Sequence, residues 1–273
     1  MKQFGHSFTQ MCEEFKYIPN YGNLVIKLKN TDKPSVILVM LGFLLVSTLV
    51  FSQNAYAEEL SDDTKLKLAF SFEQITGHIS NAVQNIDSKN YEVGKLHLAS
   101  PITEMYADLD LQHTSYPEFD KKLELVLILL KNINPQTDKQ TFVDIMDLTS
   151  SFISEGESLL VTSESLDDPN FKLNLISKLL ISAQTEYHNG ISEINYDSIV
   201  CLENSYSSIL RANSLFLDIY DLDSQYTTSI SNQFTDLLFA MDNGLPVEMF
   251  DILMGELIHD VDDMHSIVVL NSV

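Results

Sequence analysis

Beyond residue 57 the apolar side chains recur every three or four positions, in one segment after another. Leu68, Phe72, Ile75, Ile79, Ala82 and Ile86 set the pattern, and Phe119, Leu123, Val126, Leu130 and Ile133 repeat it. Residues three and four apart lie on one side of an α-helix, so each run reads as a helix with a single face to bury. No run alternates apolar and polar residues as a half-buried strand does, and no glycine-rich phosphate loop occurs. The chain is therefore expected to be all-α.

Local signals place eight helices, at about 62–87, 90–112, 117–133, 138–161, 169–192, 196–220, 223–242 and 246–269. Pro117, Pro169 (after Asp168) and Pro246 stand where a helix start tolerates a missing amide; Asp138 is a candidate cap and Asn243-Gly244 a stop. Leu125–Leu130 alone would pass for a buried strand, but the charged lead-in and the longer period favour a central, heavily buried helix. The eight helices fall into two sets of four. They are expected to form two tandem antiparallel four-helix bundles, residues 58–166 and 167–273, divided at the turn Leu166–Asn170. Gln140–Asp147 and Val247–Met254 are alike in sequence and each opens the fourth helix of its set, which points to an internal duplication. One continuous array of helical hairpins is the alternative.

The first 57 residues read differently. Val36–Phe51 is an unbroken run of apolar and small residues, with Lys27, Lys29 and Lys33 before it and Ala55-Tyr56-Ala57 after it. A positive flank, an apolar stretch and an Ala-x-Ala end are the parts of a secretory signal, with cleavage expected after Ala57. The run is shorter than the roughly 20 residues of a membrane span. The polar leader ahead of it is long for a signal, and a retained membrane anchor is the alternative. Under either reading the lysines hold the N-terminal side in the cytoplasm, so residues 58 onward are expected to be secreted or held on the extracytoplasmic face.

Charge narrows the partners. The chain carries 16 Lys+Arg against 39 Asp+Glu, net −23, and beyond residue 57 the count is 11 against 36, net −25. Such a surface does not neutralise phosphates, which argues against nucleic acid and anionic lipid as partners. The membrane is expected to be met only through the N-terminal segment. Cys201 is the single cysteine beyond Ala57, so stability must come from packing rather than disulfides or a cysteine-rich zinc site.

Two constellations carry metal-ligand chemistry. On the second helix His97 and Glu104 are seven residues apart and project from nearly the same side. Pro101 between them denies an amide to the His97 carbonyl, so a kink or break is expected there, or a new helix capped by Ser100. His78 lies near the apolar stripe of the first helix, and hairpin geometry brings it towards the other two. His78, His97 and Glu104 are thus a candidate three-ligand set for iron, copper or zinc, with two carbonyl-bonded core histidines as the plain alternative. The weaker candidate is Glu256, His259 and Asp263. Glu256-Leu-Ile-His259 has the Glu-x-x-His spacing of carboxylate-bridged di-iron bundles, which require two such motifs, and only one is present. With Asp260 these residues lie off the Phe250–Leu257–Met264 stripe and are expected to face water. No nucleophile elbow occurs, and Cys201 flanks an apolar stripe as a buried thiol would, so no catalytic activity is expected.

With a signal-like segment, paired helical sets and scattered His and Glu, the chain resembles the extracytoplasmic helical modules of iron uptake systems. These are the imelysin-like iron proteins and the soluble N-terminal region of iron permeases. Asn81-Ala-Val-Gln-Asn-Ile-Asp-Ser-Lys-Asn-Tyr-Glu92 is similar to the first hairpin of the permease module. The chain has no His-x-x-Glu of the imelysin pattern and none of the permease's membrane helices with Glu-x-x-Glu motifs. The resemblance therefore implies a free-standing accessory module. The expectation is a non-catalytic binding module for a transition-metal ion in iron uptake, or else a structural or interaction module of the cell envelope that partners another protein.

Overall fold

The computed structural model describes residues 60–109, 111, 116–134, 139–192, 195–220, 224–244 and 246–271. The signal-like segment, the expected cap Asp138 and His113 lie outside them. The protein is all-α, with no strand among the described residues. α1 (Asp62–Asp87) and α2 (Tyr91–Ser100) form a hairpin, and Pro101–Met105 carry α2 on as a π-helical turn into the short α3 (Tyr106–Leu109). α4 (Pro117–Asn132) and α5 (Lys139–Gly156) lead to a second π-helical turn, Glu157–Val161, and the short α6 (Ser163–Asp167). α7 (Pro169–Ser192), α8 (Tyr196–Leu217), α9 (Ser224–Asp242) and α10 (Val247–Asn271) follow. Among the described residues no helix is long and apolar enough to cross a membrane.

The helix ends follow their local chemistry. Ser61 accepts the Thr64 amide ahead of α1, Asn195 Oδ1 accepts the Ser198 amide at 2.8 Å, and Asp168 Oδ1 accepts the Asn170 amide at 3.0 Å. Each side-chain oxygen satisfies one of the orphan amides of a first turn. After α9 the chain turns at Gly244, whose φ of +59° lies in the left-handed region that glycine enters at little cost.

Two expected boundaries differ. Pro101 has helical dihedrals and opens the wider π turn, with the Tyr106 amide bonded to the Pro101 carbonyl, so the helical path continues where a break was expected. Ser100 is no cap there; its hydroxyl donates to the Leu96 carbonyl. The helix expected over 138–161 likewise ends as a π turn, stopped by Thr162 at φ +71°, and α6 behind it had no signal in the apolar pattern.

Residues Leu60–Val273 form one compact unit. α7 and α8 make the most extensive pair, and α1 lies against both as well as against α2. A single apolar cluster joins Leu68, Phe72 and Ile75 of α1 to Leu123 and Leu127 of α4, Leu173 and Leu180 of α7, Phe216 of α8 and Phe250 of α10. The sets at 58–166 and 167–273 therefore do not close on separate cores, because α1 and α2 bury their inner faces against α7 and α8. α4 is helical as expected but only half sunk. Leu123, Val126, Leu127 and Leu130 are fully buried, whereas Leu125 is 48% exposed and Ile128 and Leu129 also face outward. A helix in the outer layer of such a fold has only one side to hide.

Candidate functional site

The seam between the α1–α2 hairpin and the α7–α8 pair is polar. α8 contributes buried Ser198, Ser205, Ser207 and Ser208, and Ser205 donates to the Ala183 carbonyl at 2.7 Å. Small residues let α1 and α8 approach closely: a Cβ added at Gly77 would lie 3.0 Å from Ser207 Oγ. Asn81 Nδ2 donates to the same Ser207 oxygen, and Gln74 Nε2 donates to Ser182 Oγ at 2.9 Å. These last two ties join residues more than 100 positions apart in sequence.

His78 and His97 meet in this seam. They are 2% and 0% exposed, with their Nδ1 atoms 3.0 Å apart and ring centroids 5.1 Å apart. His97 Nε2 lies 2.7 Å from Glu203 Oε2, which also accepts Asn85 Nδ2–H at 2.7 Å. The Glu203 carboxylate only accepts, so His97 donates from Nε2. One proton lies between the two Nδ1 atoms; when it is carried by His78 Nδ1, with the His97 ring neutral, the lone pair of His78 is left on Nε2. That atom is buried and has no protein partner. Burial, and after it the positive charge that His97 carries whenever it is protonated, pushes the His78 pKa down to about 3, so the His78 ring stays neutral at any ordinary pH.

A small cavity of about 20 Å³ adjoins this arrangement, lined by Gln74, His78, Met105, Glu186, Asn204, Ser207 and Ser208. It has room for one water-sized guest. Asn204 Oδ1 is a second buried polar atom of this lining without a protein partner. Glu186 of α7 is held above the usual carboxylate range chiefly by burial and also by the charge of Glu104, while a hydrogen bond from the Cys201 thiol pulls the other way.

Of the expected three-ligand set, the structure brings His78 and His97 together and leaves Glu104 exposed on the π turn. Its charge reaches Glu186 and Cys201, so it borders the site without entering the histidine pair. Glu203 and Glu186, from the other half of the chain, occupy the acidic positions instead. Neither had a signal: both stand beside apolar stripes, and nothing in the spacing shows which helix faces which. Cys201 does sit in partly buried surroundings, and its partner is Glu186. The weaker set stays at the surface. Glu256 and His259 are exposed, and His259 Nδ1 is 3.8 Å from Asp263. Asp260, expected to face water, instead accepts from Ser229 and Gln233 of α9, because that side of α10 packs on α9.

A second buried charge group lies along the same seam. Glu73 of α1 is 6% exposed and paired with Arg211 of α8. Glu157, on the second π turn, is pushed up to about 7, first by burial and then by the Glu73 charge, with Arg211 opposing. Two carboxyls thus lie in the field of one guanidinium, and the one without the direct ion pair holds its proton to higher pH than an ordinary glutamate.

Among the described residues no group of three or more His, Cys, Asp or Glu stands close enough to hold one ion. Compared with known proteins, the chain matches no family model, no curated protein and no solved structure.

Proposed function

We propose that the region beyond residue 57 is a non-catalytic binding module that works outside the cytoplasm, with a transition-metal ion as its ligand. The observation that carries this reading is the unpartnered, buried His78 Nε2 at a small, partly open cavity. A neutral imidazole lone pair beside a carboxylate is a donor set that suits iron, copper or zinc. The net charge of −25 beyond residue 57 favours cations over anions near its surface. The extracytoplasmic placement rests on the signal-like segment Val36–Ala57, and a role in iron uptake rests on the resemblance to iron-uptake modules alone. The likeness of Gln140–Asp147 to Val247–Met254, which lie at the starts of α5 and α10, supports an origin by duplication.

The test is equilibrium dialysis of the full chain against Fe²⁺, Cu²⁺ and Zn²⁺. Saturable uptake of one ion per chain is expected; uptake that never saturates for any of the three refutes the metal reading. A second reading, an interaction module of the envelope, is favoured by the exposed apolar row Leu125, Ile128 and Leu129 on α4, beside Val143 of α5.

A further inference from the structure

We infer that one first-row transition-metal ion binds at the cavity among α1, α7 and α8, with His78 Nε2 and the Glu186 carboxylate as its ligands and Asn204 Oδ1 as a third donor. Because the ion is the ligand of the proposed function, the assignment depends on that reading; what it adds is the place and the supporting groups.

Glu203 and Asn85 hold His97, and His97 meets His78 at Nδ1, so His78 Nε2 is the ring nitrogen left free at the cavity; it presents a lone pair when the proton between the rings is on His78 Nδ1. A metal-bound histidine ordinarily donates its second ring N–H to another group, which orients the ring and raises its basicity. Here that group is His97, itself oriented by Glu203 and, through the same oxygen, by Asn85. His97 has both nitrogens committed, so it is a positioning residue and not a ligand, and this explains why Glu104 is not needed opposite it. The cavity lining then supplies a carboxylate, an amide oxygen without a partner and the thioether of Met105, and it includes no Lys or Arg. A water molecule could donate to His78 Nε2 and Asn204 Oδ1, whereas a cation would take those two lone pairs and the Glu186 carboxylate together. Two strong donors and an amide leave coordination positions for water, so an open site and modest affinity are expected.

The experiment is a titration of the full chain with Co²⁺ alone, read by the visible absorption of the bound ion, and with Zn²⁺ in competition. One Co²⁺ per chain is expected, displaced by Zn²⁺. His78→Ala and Glu186→Gln should abolish saturable binding. Glu203→Gln should weaken it about 10- to 100-fold and alter the cobalt spectrum, as loss of an outer-shell partner does. Glu104→Gln should change affinity less than about twofold, since Glu104 only borders the site. Glu186→Gln keeps the assignment testable if His78→Ala fails to fold, because Glu186 is only half-buried. If the chain binds Co²⁺ and both ligand variants bind it equally well, the site assignment is overturned while the binding-module reading survives. If no ion binds saturably, the cavity holds water only and both fall.

Discussion

Glu157 gives the stability of this protein an unusual dependence on pH. Its carboxyl is pushed up to about 7 from an ordinary 4.5. The folded state therefore holds a proton that the unfolded chain releases between those two values. Stability from this group is complete below about 4.5 and is lost as pH rises through 7, the reverse of the behaviour of a salt-bridged acid. At 1.36 kcal/mol per unit, the span corresponds to about 3.4 kcal/mol as an upper bound. Glu157 is half-buried, and screening by water reduces this to about 2 kcal/mol. The groups facing it are Glu73 of α1, which raises the value, and Arg211 of α8, which opposes it. Urea unfolding of the wild type and of Glu157→Gln at pH 5, 6, 7 and 8 isolates the effect. The difference between the two proteins should shift by about 2 kcal/mol against the wild type from pH 5 to pH 8. Parallel pH profiles, or a wild type that gains on the variant as pH rises, would refute the picture of two acids sharing one guanidinium.

Three further outcomes follow from the packing. Phe72 and Phe216 are both fully buried in one cluster, so Phe72→Ala and Phe216→Ala should each cost about 3–5 kcal/mol and shift a single calorimetric transition; two separable transitions would show that the halves unfold independently. A Cβ at Gly190 would lie 2.6 Å from Leu202 Cγ and 2.9 Å from the Ser198 carbonyl, and since backbone cannot yield cheaply, Gly190→Ala should lose about 1–3 kcal/mol in urea unfolding. Burial and the neighbouring Glu186 push the Cys201 thiol up to about 12, so site-resolved mass spectrometry should find its alkylation at pH 8 many-fold slower in the native protein than in urea; equal rates would contradict that setting.

The long helices were legible from sequence because each carries a three-to-four-residue apolar period, and several add a capping Asp or a Pro or Gly at an end. The meeting of His78 and His97 was legible too, since α1 and α2 are joined by a tight turn and a hairpin aligns its two members. What the pattern could not convey was partnership between distant helices. Glu203, Glu186 and Asn204 lie more than 100 residues from His78, and a carboxylate beside an apolar stripe looks the same whether it meets water or another helix. Glu104 was the natural local choice for that reason. The two π turns were hidden as well, because one extra residue in a turn leaves the neighbouring apolar spacing nearly intact. The outward side of α4 was misjudged because a continuous run of Leu, Val and Ile marks a helix without saying how many of its faces are covered.

The seam between α1 and the α7–α8 pair also sets an order of events when the chain is made. Glu73, Gln74, Asn81 and Asn85 of α1 have side-chain partners in α7 and α8, up to 138 positions later. A nascent chain that ends before residue 196 holds Ser182 for Gln74 but lacks the α8 partners of Glu73, Asn81 and Asn85, so closure must wait for distant segments, and contacts of that separation form slowly. The newly made first half is in this respect a waiting intermediate with its inner face uncovered, the kind of species that chaperones shield.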